Sequence, residues 1–527
     1  MQHSAPACGK VLQKVLRQWS KAFHIEPSAH GACGFPYPIW QAAATFIACP
    51  CVRIDAAFSF WHGPLTPCAC EDGLRLATAD GATSSDRRDQ HARPPSNSAN
   101  SAMSSRCLPV LRRSMRVQRH IATTRERETH MAHSNDTSPR EAARPLPLAG
   151  IRVLDVSQVM AGPFACMMLA DMGADVIKVE PLEGDQTRGA MGFKMKGPDS
   201  MGFLNMNRNK RSVALDLKTE EGREFFYELA RSADMMVENY RPGVVKRLGI
   251  DYETIRKINP RMVYASISGF GQSGPWSSRP GFDLMAQAMS GVMSVTGYKD
   301  GPPVKAGVPV ADIGCALFAV YGLLSAYIGA QKSGLGQHID ASLFDSAMAF
   351  SIWDMSDYWG TGTPPTPLGT SNKMSAPYQA VKARDGYFVM GATNQKLWKK
   401  LCELLQRPDL ETHPDFATVA LRLKHREALI SALEASFGQR DAEDWITTLL
   451  EAGIPAGPIL TYPEAFGSEH ARHRGMCMEI KHPNEGTVKN IGFPVKMGGT
   501  PQHVYRHPPL LGEHNQELRD ELAAVPA

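Results

Sequence analysis

The pattern of LAGIRVLDVSQVMAGPFACMMLADMGADVIKVE, residues 148–180, indicates the fold class of the chain. Two short runs in it, residues 151–157 and 175–180, are apolar and rich in β-branched side chains, which is typical of buried strands. Residues 163–172 between them have the composition of a helix, and Pro163 fits its first turn. A strand, a helix and a second strand in this order predict a β-α-β unit.

The same alternation continues towards the C-terminus. SVALDL (212–217) precedes a helical segment, EEGREFFYELARSA (220–233), and two further strand-like runs follow, MMVEN (235–239) and MVYASISGF (262–270). Strands that alternate with helices along the chain form parallel sheets with helices on both faces. The sequence therefore predicts an α/β fold with a Rossmann-like, doubly wound sheet.

A change in composition predicts a second domain. Residues 354–366 are rich in Gly, Pro and Thr, and DGYFVMGAT and QKLWKKLCELL then suggest a strand and a helix of a separate unit. We expect a large ligand-binding domain over residues 147–350 and a smaller α+β domain with its linkers over residues 351–469. A C-terminal segment, residues 470–527, is expected to return to the large domain.

Residues 1–146 differ from the rest of the chain. They lack sustained periodicity, contain SNSANSAMSS, and are rich in arginine but poor in lysine, so we expect them to be unfolded. An organelle transit peptide shares this composition but is much shorter. Met131 opens a more natural start, and we interpret the preceding residues as an over-extended N-terminus.

Composition narrows the classes of function. The formal net charge of +4 is small for 527 residues and predicts neither a nucleic-acid partner nor an acidic surface. Four scattered cysteines after residue 147 suggest a reducing, cytoplasmic compartment. The early pairs Cys49/Cys51 and Cys68/Cys70 lack the spacing of zinc ligands, so no metal is expected.

The longest apolar run, Cys315–Ala330, is shorter than the roughly 20 residues of a membrane span and is interrupted by polar side chains. It predicts a buried helix and no membrane partner.

SQVMAGPFACMM (157–168) is the first candidate for a binding site. Its small residues Ala161 and Gly162 separate a strand from a helix, so the backbone there could approach a ligand and offer N–H groups. A simple tight turn explains the same residues. The segment is not a G-x-G-x-x-G fingerprint, which argues against a nicotinamide oxidoreductase.

The second candidate is NRNKRSVALDLK (207–218), where Arg208, Lys210 and Arg211 precede a strand and Lys218 follows it. Such a cluster suits a polyphosphate ligand, although charged runs are often merely solvated surfaces. Three more basic residues could extend the same rim: Lys178, Arg188 and Arg247.

The third candidate is Asp312, in KAGVPVADIGCALFAVYGLL (305–324), directly before a long apolar run. This placement predicts a helix N-cap, a role in which aspartate contributes about 1 kcal/mol of stability. A helix start also keeps a carboxylate ionised, as a nucleophile requires. Both interpretations fit the sequence at this point.

Taken together, the blocks resemble the family III (CaiB/BaiF-type) CoA transferases over Leu148 to about His514. The resemblance rests on the following segments in the family's order: residues 148–180, NRNKRSVALDLK, VENYRPGVVKRLGI, SISGFGQSGP, GFDLMAQAMSG, the Asp312 segment, GQHIDASLFD and PPLLGEH.

The resemblance implies that Asp312 is the catalytic aspartate. In this family the aspartate attacks an acyl-CoA thioester, forms a mixed anhydride and then an aspartyl-CoA thioester, and finally passes CoA to an acceptor acid. Coenzyme A is then a substrate, and no permanently bound cofactor is expected. The resemblance also implies a homodimer of two chains interlocked as rings.

The resemblance also assigns contacts to CoA. Arg211 belongs to the basic cluster expected at the phosphates. The other implied positions are Val159, Met160 and Ala161 at the thioester end, Leu215, Leu217 and Lys218 near the adenine, and Asn239, Tyr240, Val244 and Arg247 along the pantetheine and phosphates. Two departures stand out, Met160 where some relatives have glutamine and Pro181 where some have arginine.

Two other functions remain open. The family's racemases need a histidine before the aspartate of their GxDxxxxAxSG block, but Phe282 stands there and cannot shuttle a proton. A non-catalytic CoA-binding protein would have no chemical reason to keep Asp312 and Gly314. NKMSAPYQAVKARDGYFVMGA (372–392) looks most similar to transferases that use succinyl-CoA or another dicarboxylyl-CoA, while carnitine, oxalate, itaconate and aromatic acids stay open as acceptors.

Overall fold

The computed structural model describes residues 144–189 and 195–524, all within the compact unit Met131–Ala527. The predictions for residues 1–143 lie outside the described residues.

A six-stranded parallel sheet forms the centre of the large domain, which confirms the predicted α/β class. Its order is β3-β2-β1-β4-β5-β6. The chain therefore adds β2 and β3 on one side of β1 and the later strands on the other, which is the doubly wound pattern. The strands are β1 (Arg152–Asp155), β2 (Asp175–Glu180), β3 (Lys210–Ala214), β4 (Met235–Glu238), β5 (Val263–Ser268) and β6 (His338–Ser342).

Helices cover both faces of this sheet because successive strand residues point to opposite sides. Val153 and Val176 pack into one core with the first and the longest helices, while Leu154 and Ile177 pack into another. The helices between residues 161 and 361 are α1 (Ala161–Asp171), α2 (Gln186–Gly189), α3 (Met201–Met206), α4 (Glu220–Arg231), α5 (Val244–Leu248), α6 (Tyr252–Ile258), α7 (Asp283–Met289), α8 (Val292–Val295), α9 (Val310–Ser333), α10 (Leu343–Ala349) and α11 (Ile352–Thr361).

Helix α9 is long and apolar enough to cross a membrane, judged by length and composition alone. Cys315 and Leu323 lie in the core on its buried face, while Leu317, Tyr321 and Ile328 are exposed on the other. Only 39% of its most apolar stretch is buried. The prediction of a buried helix therefore holds for one face only.

The smaller domain has its own antiparallel sheet, in the order β7-β8-β9, and its own core around Trp398, Leu433 and Phe437. Its elements are β7 (Tyr378–Lys382), β8 (Tyr387–Gly391), α12 (Gln395–Leu404), α13 (Pro408–Thr412), a 3₁₀ turn (Pro414–Phe416), α14 (Val419–Lys424), α15 (Arg426–Phe437), α16 (Ala442–Glu451), β9 (Ala456–Pro458), α17 (Tyr462–Gly467) and α18 (Glu469–His473).

The C-terminal segment contains a hairpin, β10 (Cys477–His482) and β11 (Gly486–Ile491), and a last helix, α19 (Asn515–Ala523). Residues before α19 lie along β3, where the N–H of His514 donates to the carbonyl of Ser212 at 3.0 Å. The N–H of Asn209 likewise donates to the carbonyl of Arg506 at 3.0 Å. The segment therefore covers the sheet edge that β3 would otherwise expose.

Candidate functional site

The carboxyl ends of β1 and β4 define a candidate binding crevice. The strand order changes direction at β1, and ligands of doubly wound sheets bind above such a switch point. Two loops meet there, because the N–H of Gln158 donates to Asn239 Oδ1 at 2.8 Å. Asn239 Nδ2 donates in return to the carbonyl of Gln158 at 2.6 Å.

The loop from Ser157 to Ala161 has the conformation of a ligand-binding turn. Val159 has φ of 68°, a left-handed value that a β-branched residue rarely adopts. A Cβ on Gly162 would lie 2.3 Å from the Ser157 Cβ, so the close turn requires glycine. Helix α1 then begins with Met160 as its N-cap and no side-chain capping bond, which leaves first-turn N–H groups for a ligand.

The other predicted CoA contacts follow β3 and β4 at the same edge. Leu215 and Leu217 are buried in one apolar cluster, and Tyr240 packs against that cluster. Lys218, Val244 and Arg247 lie nearer the surface, and both cations are exposed. The structure thus brings the predicted residues of three loops, after β1, β3 and β4, to one side of the sheet.

Two of the basic residues predicted for a phosphate rim instead lie inside the protein. Lys178 and Lys210 have no exposed surface. Lys178 Nζ is 2.8 Å from Asp185 Oδ2 and donates to the carbonyl of Ser157 at 3.0 Å. Lys210 Nζ is 2.8 Å from Asp155 Oδ2 and also donates to the carbonyl of Pro163 at 2.8 Å. Lys178 therefore holds the binding loop, and Lys210 holds the first turn of α1.

The neighbouring opposite charges keep the buried side chains of Asp155 and Lys178 ionised. Burial raises the pKa of Asp155, but Lys210 and Lys178 outweigh it and lower that pKa to about 2. Burial lowers the pKa of Lys178, but Asp155 and Asp185 outweigh it and raise that pKa. Each buried charge is compensated by its partner. Removing one partner would leave an uncompensated charge in the interior and strongly destabilise the fold.

The arginines of the predicted rim are also paired. Arg188 contacts Glu180 and Asp199, and Arg208 contacts Asp171, all at 2.9 Å or less. Each arginine is at least 95% buried, so neither can reach a phosphate outside. Some relatives have an arginine at the position of Pro181. Neither Arg188 nor Arg208 is available to replace that arginine as a ligand.

The placement of Arg211 argues against its predicted role as a CoA ligand. It lies near the amino end of β3, and its side chain is 2% exposed. Its guanidinium contacts the carboxylates of Asp175, Glu517 and Glu521. Because all strands of the sheet run parallel, this end lies opposite to the crevice. Arg211 ties α19 to the sheet.

The prediction that Asp312 is an N-cap is wrong. Helix α9 begins at Val310 with Pro309 as its N-cap, so Asp312 is its third residue. Asp283 Oδ1 accepts from the N–H groups of Ala311 at 2.9 Å and of Asp312 at 3.4 Å. Another carboxylate therefore caps α9, a role that the sequence did not reveal because 28 residues separate Asp283 from Ala311.

Asp312 is partly buried, and within the described residues its carboxylate accepts no hydrogen bond. Burial, and then the neighbouring Asp283, raise the pKa of Asp312 to about 6. Asp283 itself is held by Gln287, whose Nε2 donates to Asp283 Oδ2 at 2.6 Å. An unpaired carboxylate with a raised pKa is typical of functional sites.

Gly314 has a packing role that weakens it as a sign of catalysis. A Cβ there would lie 2.4 Å from the ring of Phe350. Any larger residue would push this ring away from α9, so the structure explains the glycine without a reaction.

Glu238 is a second residue that the sequence analysis missed. It ends β4, it is 1% exposed, and burial raises its pKa to about 7. Its Oε2 accepts from the N–H of Tyr240 at 2.8 Å, which fixes the start of the loop after β4. A glutamate within the apolar run MMVEN was the available signal. Across residues 144–189 and 195–524, no group of three His, Cys, Asp or Glu side chains could hold a metal ion.

Comparison with known proteins identifies the family. The profile of CoA-transferase family III matches residues 148–515. The chain is 38% identical over 377 residues to succinyl-CoA:glutarate CoA-transferase of Mus musculus, covering 71% of this chain and 86% of the mouse enzyme. It is 38% identical over 384 residues to acetyl-CoA:oxalate CoA-transferase of Acetobacter aceti, covering 72% and 97% of the two chains.

A solved structure has the same fold. The crystal structure of a CAIB/BAIF family protein from Brucella suis superimposes with a TM-score of 0.65 at 37% sequence identity. It covers 72% of this chain and all of the Brucella protein.

Arg211 and Lys218 should differ in what their loss changes. Arg211→Ala should lower the free energy of unfolding by roughly 1–3 kcal/mol, because it removes the Arg211 contacts with Asp175, Glu517 and Glu521 and leaves Arg152 as the remaining partner of Asp175 and Glu521. It should leave the Kd for CoA within about twofold. Lys218→Ala should weaken CoA binding about three- to tenfold and reduce its salt dependence. Thermal melts and calorimetric titrations at two ionic strengths measure both. Weaker CoA binding by Arg211→Ala at unchanged stability would instead support the prediction that Arg211 binds the CoA phosphates.

Asp312→Asn should stabilise the protein at neutral pH. The pKa of Asp312 is about 6 in the folded state against 3.8 for an ordinary aspartate. The folded state therefore favours the protonated form, and stability is lost as pH rises through 6. At pH 7.5 the variant should be more stable by roughly 1–3 kcal/mol, and this advantage should disappear towards pH 4.

The matched control is Asp444→Asn, because Asp444 is exposed and is also the third residue of its helix, α16. It should not stabilise the protein at any pH, since an exposed negative charge in a first turn favours the helix. Melting temperatures across pH 4–8 decide the question. A lower melting temperature for Asp312→Asn at pH 7.5 would show that its carboxylate is structural.

Proposed function

The chain belongs to CoA-transferase family III, and we propose that it transfers coenzyme A from an acyl-CoA donor to a free carboxylic acid through covalent intermediates on Asp312. The proposal rests on the different roles of Asp283 and Asp312 at the start of α9. Asp283 caps the helix, so that task does not explain Asp312. Its carboxylate has no hydrogen-bonded partner among the described residues and is free to react.

In the first half of the reaction, an ionised Asp312 oxygen attacks the thioester carbonyl of the donor. A C–O bond forms, the C–S bond breaks, and CoA leaves as its thiolate, which gives a mixed anhydride on Asp312. The thiolate then attacks the aspartyl carbonyl of this anhydride. The donor acid leaves as a carboxylate, and Asp312 now carries CoA as a thioester.

The second half runs the same steps in reverse with the acceptor. The acceptor carboxylate attacks the aspartyl thioester and expels the thiolate, which gives a new anhydride. The thiolate attacks the acceptor's own carbonyl, and this step releases the product acyl-CoA and the free Asp312 carboxylate. No net proton or electron is consumed. The reaction requires Asp312 to be ionised, which a pKa of about 6 allows at neutral pH.

The substrates that we propose are small acids, with succinyl-CoA or another dicarboxylyl-CoA as the donor. Support comes from the names of the relatives, which include succinyl-CoA:glutarate, acetyl-CoA:oxalate and succinyl-CoA:mesaconate CoA-transferases. Each of these names pairs CoA with a dicarboxylic acid. A dicarboxylate acceptor is therefore preferred here over carnitine or an aromatic acid, in a cytoplasmic setting without a permanent cofactor.

A second copy of the chain is the partner that we propose for the exposed face of α9. On this face the ring of Phe318 contacts that of Phe350, two residues before α11, and Ile352, Trp353 and Trp359 of α11 are 62–75% exposed. Contiguous apolar surface of this kind marks an interaction site on a folded protein. The family resemblance favours the interlocked dimer over a membrane surface or a nucleic acid.

Asp312→Asn should abolish CoA exchange. Asparagine has no ionised oxygen to form the anhydride, so the rate should fall by about 10⁴ or more, while CoA binding stays close to that of the original protein. Succinyl-CoA and acetyl-CoA should be tested against glutarate, oxalate, carnitine and benzoate, with mass spectrometry of the CoA products. Borohydride or hydroxylamine should trap an adduct on Asp312 only when acyl-CoA is present.

The control, Asp444→Asn, should keep full exchange. Substantial exchange by Asp312→Asn, or a trapped adduct on another residue, would refute the mechanism. An absence of exchange by the original protein with every pair would refute the proposed activity itself.

The proposed dimer predicts a mass in solution of twice 57.6 kDa. Light scattering at micromolar concentration measures it. Trp359→Lys should weaken the dimer, because it places a charge in the buried apolar contact. A monomer that pellets with phospholipid vesicles would instead assign the α9 face to a membrane.

A further inference from the structure

The backbone at Val159 is held in a conformation that its own side chain disfavours. Its φ of 68° places a β-branched residue in the left-handed region, where glycine or asparagine is usual. Such a residue persists only when its surroundings fix it, and these positions cluster at ligand sites. Left to itself, this loop would relax into another conformation and lose the arrangement of N–H groups at the start of α1.

The Asn239 side chain forms two hydrogen bonds with the backbone of Gln158, the residue before Val159. Its Oδ1 accepts from the N–H of Gln158 at 2.8 Å, and its Nδ2 donates to the carbonyl of Gln158 at 2.6 Å. The carbonyl of Gln158 belongs to the peptide that immediately precedes the Val159 φ torsion. Rotation about that torsion would therefore break a short hydrogen bond to a side chain that lies directly after β4.

Two further side chains hold the same two peptide groups. Lys178 Nζ donates to the carbonyl of Ser157 at 3.0 Å, and the N–H of Val159 donates to Asp185 Oδ1 at 3.4 Å. Lys178 and Asp185 are themselves joined at 2.8 Å and buried. Three consecutive residues of the loop are thus held by side chains from three different places in the fold.

We propose that Asn239 is a positioning residue, which keeps Val159 in its left-handed conformation so that the loop before α1 is preformed for the acyl-CoA thioester. This role replaces the direct CoA contact expected from the family resemblance, because the Asn239 oxygen and one amide hydrogen are already used within the protein. The proposal rests on the proposed transferase function for the identity of the ligand.

Two substitutions of Asn239 test whether it positions the loop or only stabilises the fold. Asn239→Ala removes both hydrogen bonds to Gln158. Asn239→Asp has nearly the same shape and keeps the acceptor, but it loses the donor to the Gln158 carbonyl. Both variants should lower kcat/KM for exchange by about tenfold or more. In both, hydrogen exchange of the segment 157–161 should become faster.

The matched control is Asn259→Ala. Asn259 also holds backbone groups in the large domain, because its Nδ2 donates to the carbonyls of Ala230 and Ala233 at 3.0 and 2.8 Å. Its loss should reduce the melting temperature to a comparable extent. Exchange activity and the hydrogen exchange of residues 157–161 should stay unchanged, since these contacts lie away from the loop.

A double variant tests the conformational argument directly. Glycine adopts a positive φ without the penalty that valine suffers, so Val159→Gly removes the need for an external clamp. In the Asn239→Ala background, Val159→Gly should recover severalfold of the lost kcat/KM. A direct contact between Asn239 and CoA would not be restored by a change at Val159.

Hydrogen exchange keeps the two proposals distinguishable, because it needs neither substrate nor turnover. Faster exchange at residues 157–161 in Asn239→Ala would support the positioning role even if the original protein transferred no CoA. Unchanged hydrogen exchange in both Asn239 variants would overturn it. Loss of CoA affinity that Val159→Gly leaves unrepaired would also overturn it, and would make Asn239 a direct ligand.

Discussion

The buried ion pairs Lys178–Asp185 and Lys210–Asp155 are the constraint on which the rest of the site depends. Lys178 also donates to the carbonyl of Ser157 in the loop between β1 and α1, and Lys210 donates to the carbonyl of Pro163 in the first turn of α1 and to Asn207 Oδ1. The charges cannot move without stranding an unpaired ion in the interior, which is far more costly than the pair itself. The sheet therefore determines where the loop lies, and the loop determines where α1 begins. Lys178 and Lys210, which the sequence suggested as phosphate ligands, thus support the binding loop and α1 from inside the protein.

Asp312 shows the opposite use of a charge. The carboxylates of Asp155 and Asp185 are paired, and their pKa values are lowered despite burial. Asp312 has no cationic partner in the part of the chain that the structure describes, and its pKa is raised. A paired carboxylate is stable and unreactive, whereas an unpaired and partly desolvated one is a better nucleophile but weakens the fold. Asp283 makes this arrangement tolerable, because it caps α9 and so leaves Asp312 without a structural duty.

The sequence predicted the sheet because strand and helix periodicities are local signals, and each β-α unit from residue 151 to 268 carries its own. It could not predict burial of the basic residues, because Arg208, Lys210 and Arg211 look alike in a string of letters. Their partners, Asp171, Asp155 and Asp175, are 36 to 55 residues away. The N-cap error at Asp312 has the same origin, since the true cap arrives from α7. Long-range pairing, rather than local propensity, set each of these outcomes.

Position along one strand also decides what a cation does. Arg211 and Lys218 belong to the same segment, but β3 ends at Ala214 and Lys218 lies in the turn that follows it. Arg211 lies near the amino end of β3, where acidic side chains of α19 surround it. Lys218 follows the carboxyl end, the side on which β1 and β4 present their loops. Because every strand of the sheet is parallel, all ligand-binding loops open on this one side. The polarity of the sheet therefore separates structural from ligand-facing charges, even when they are only a few residues apart.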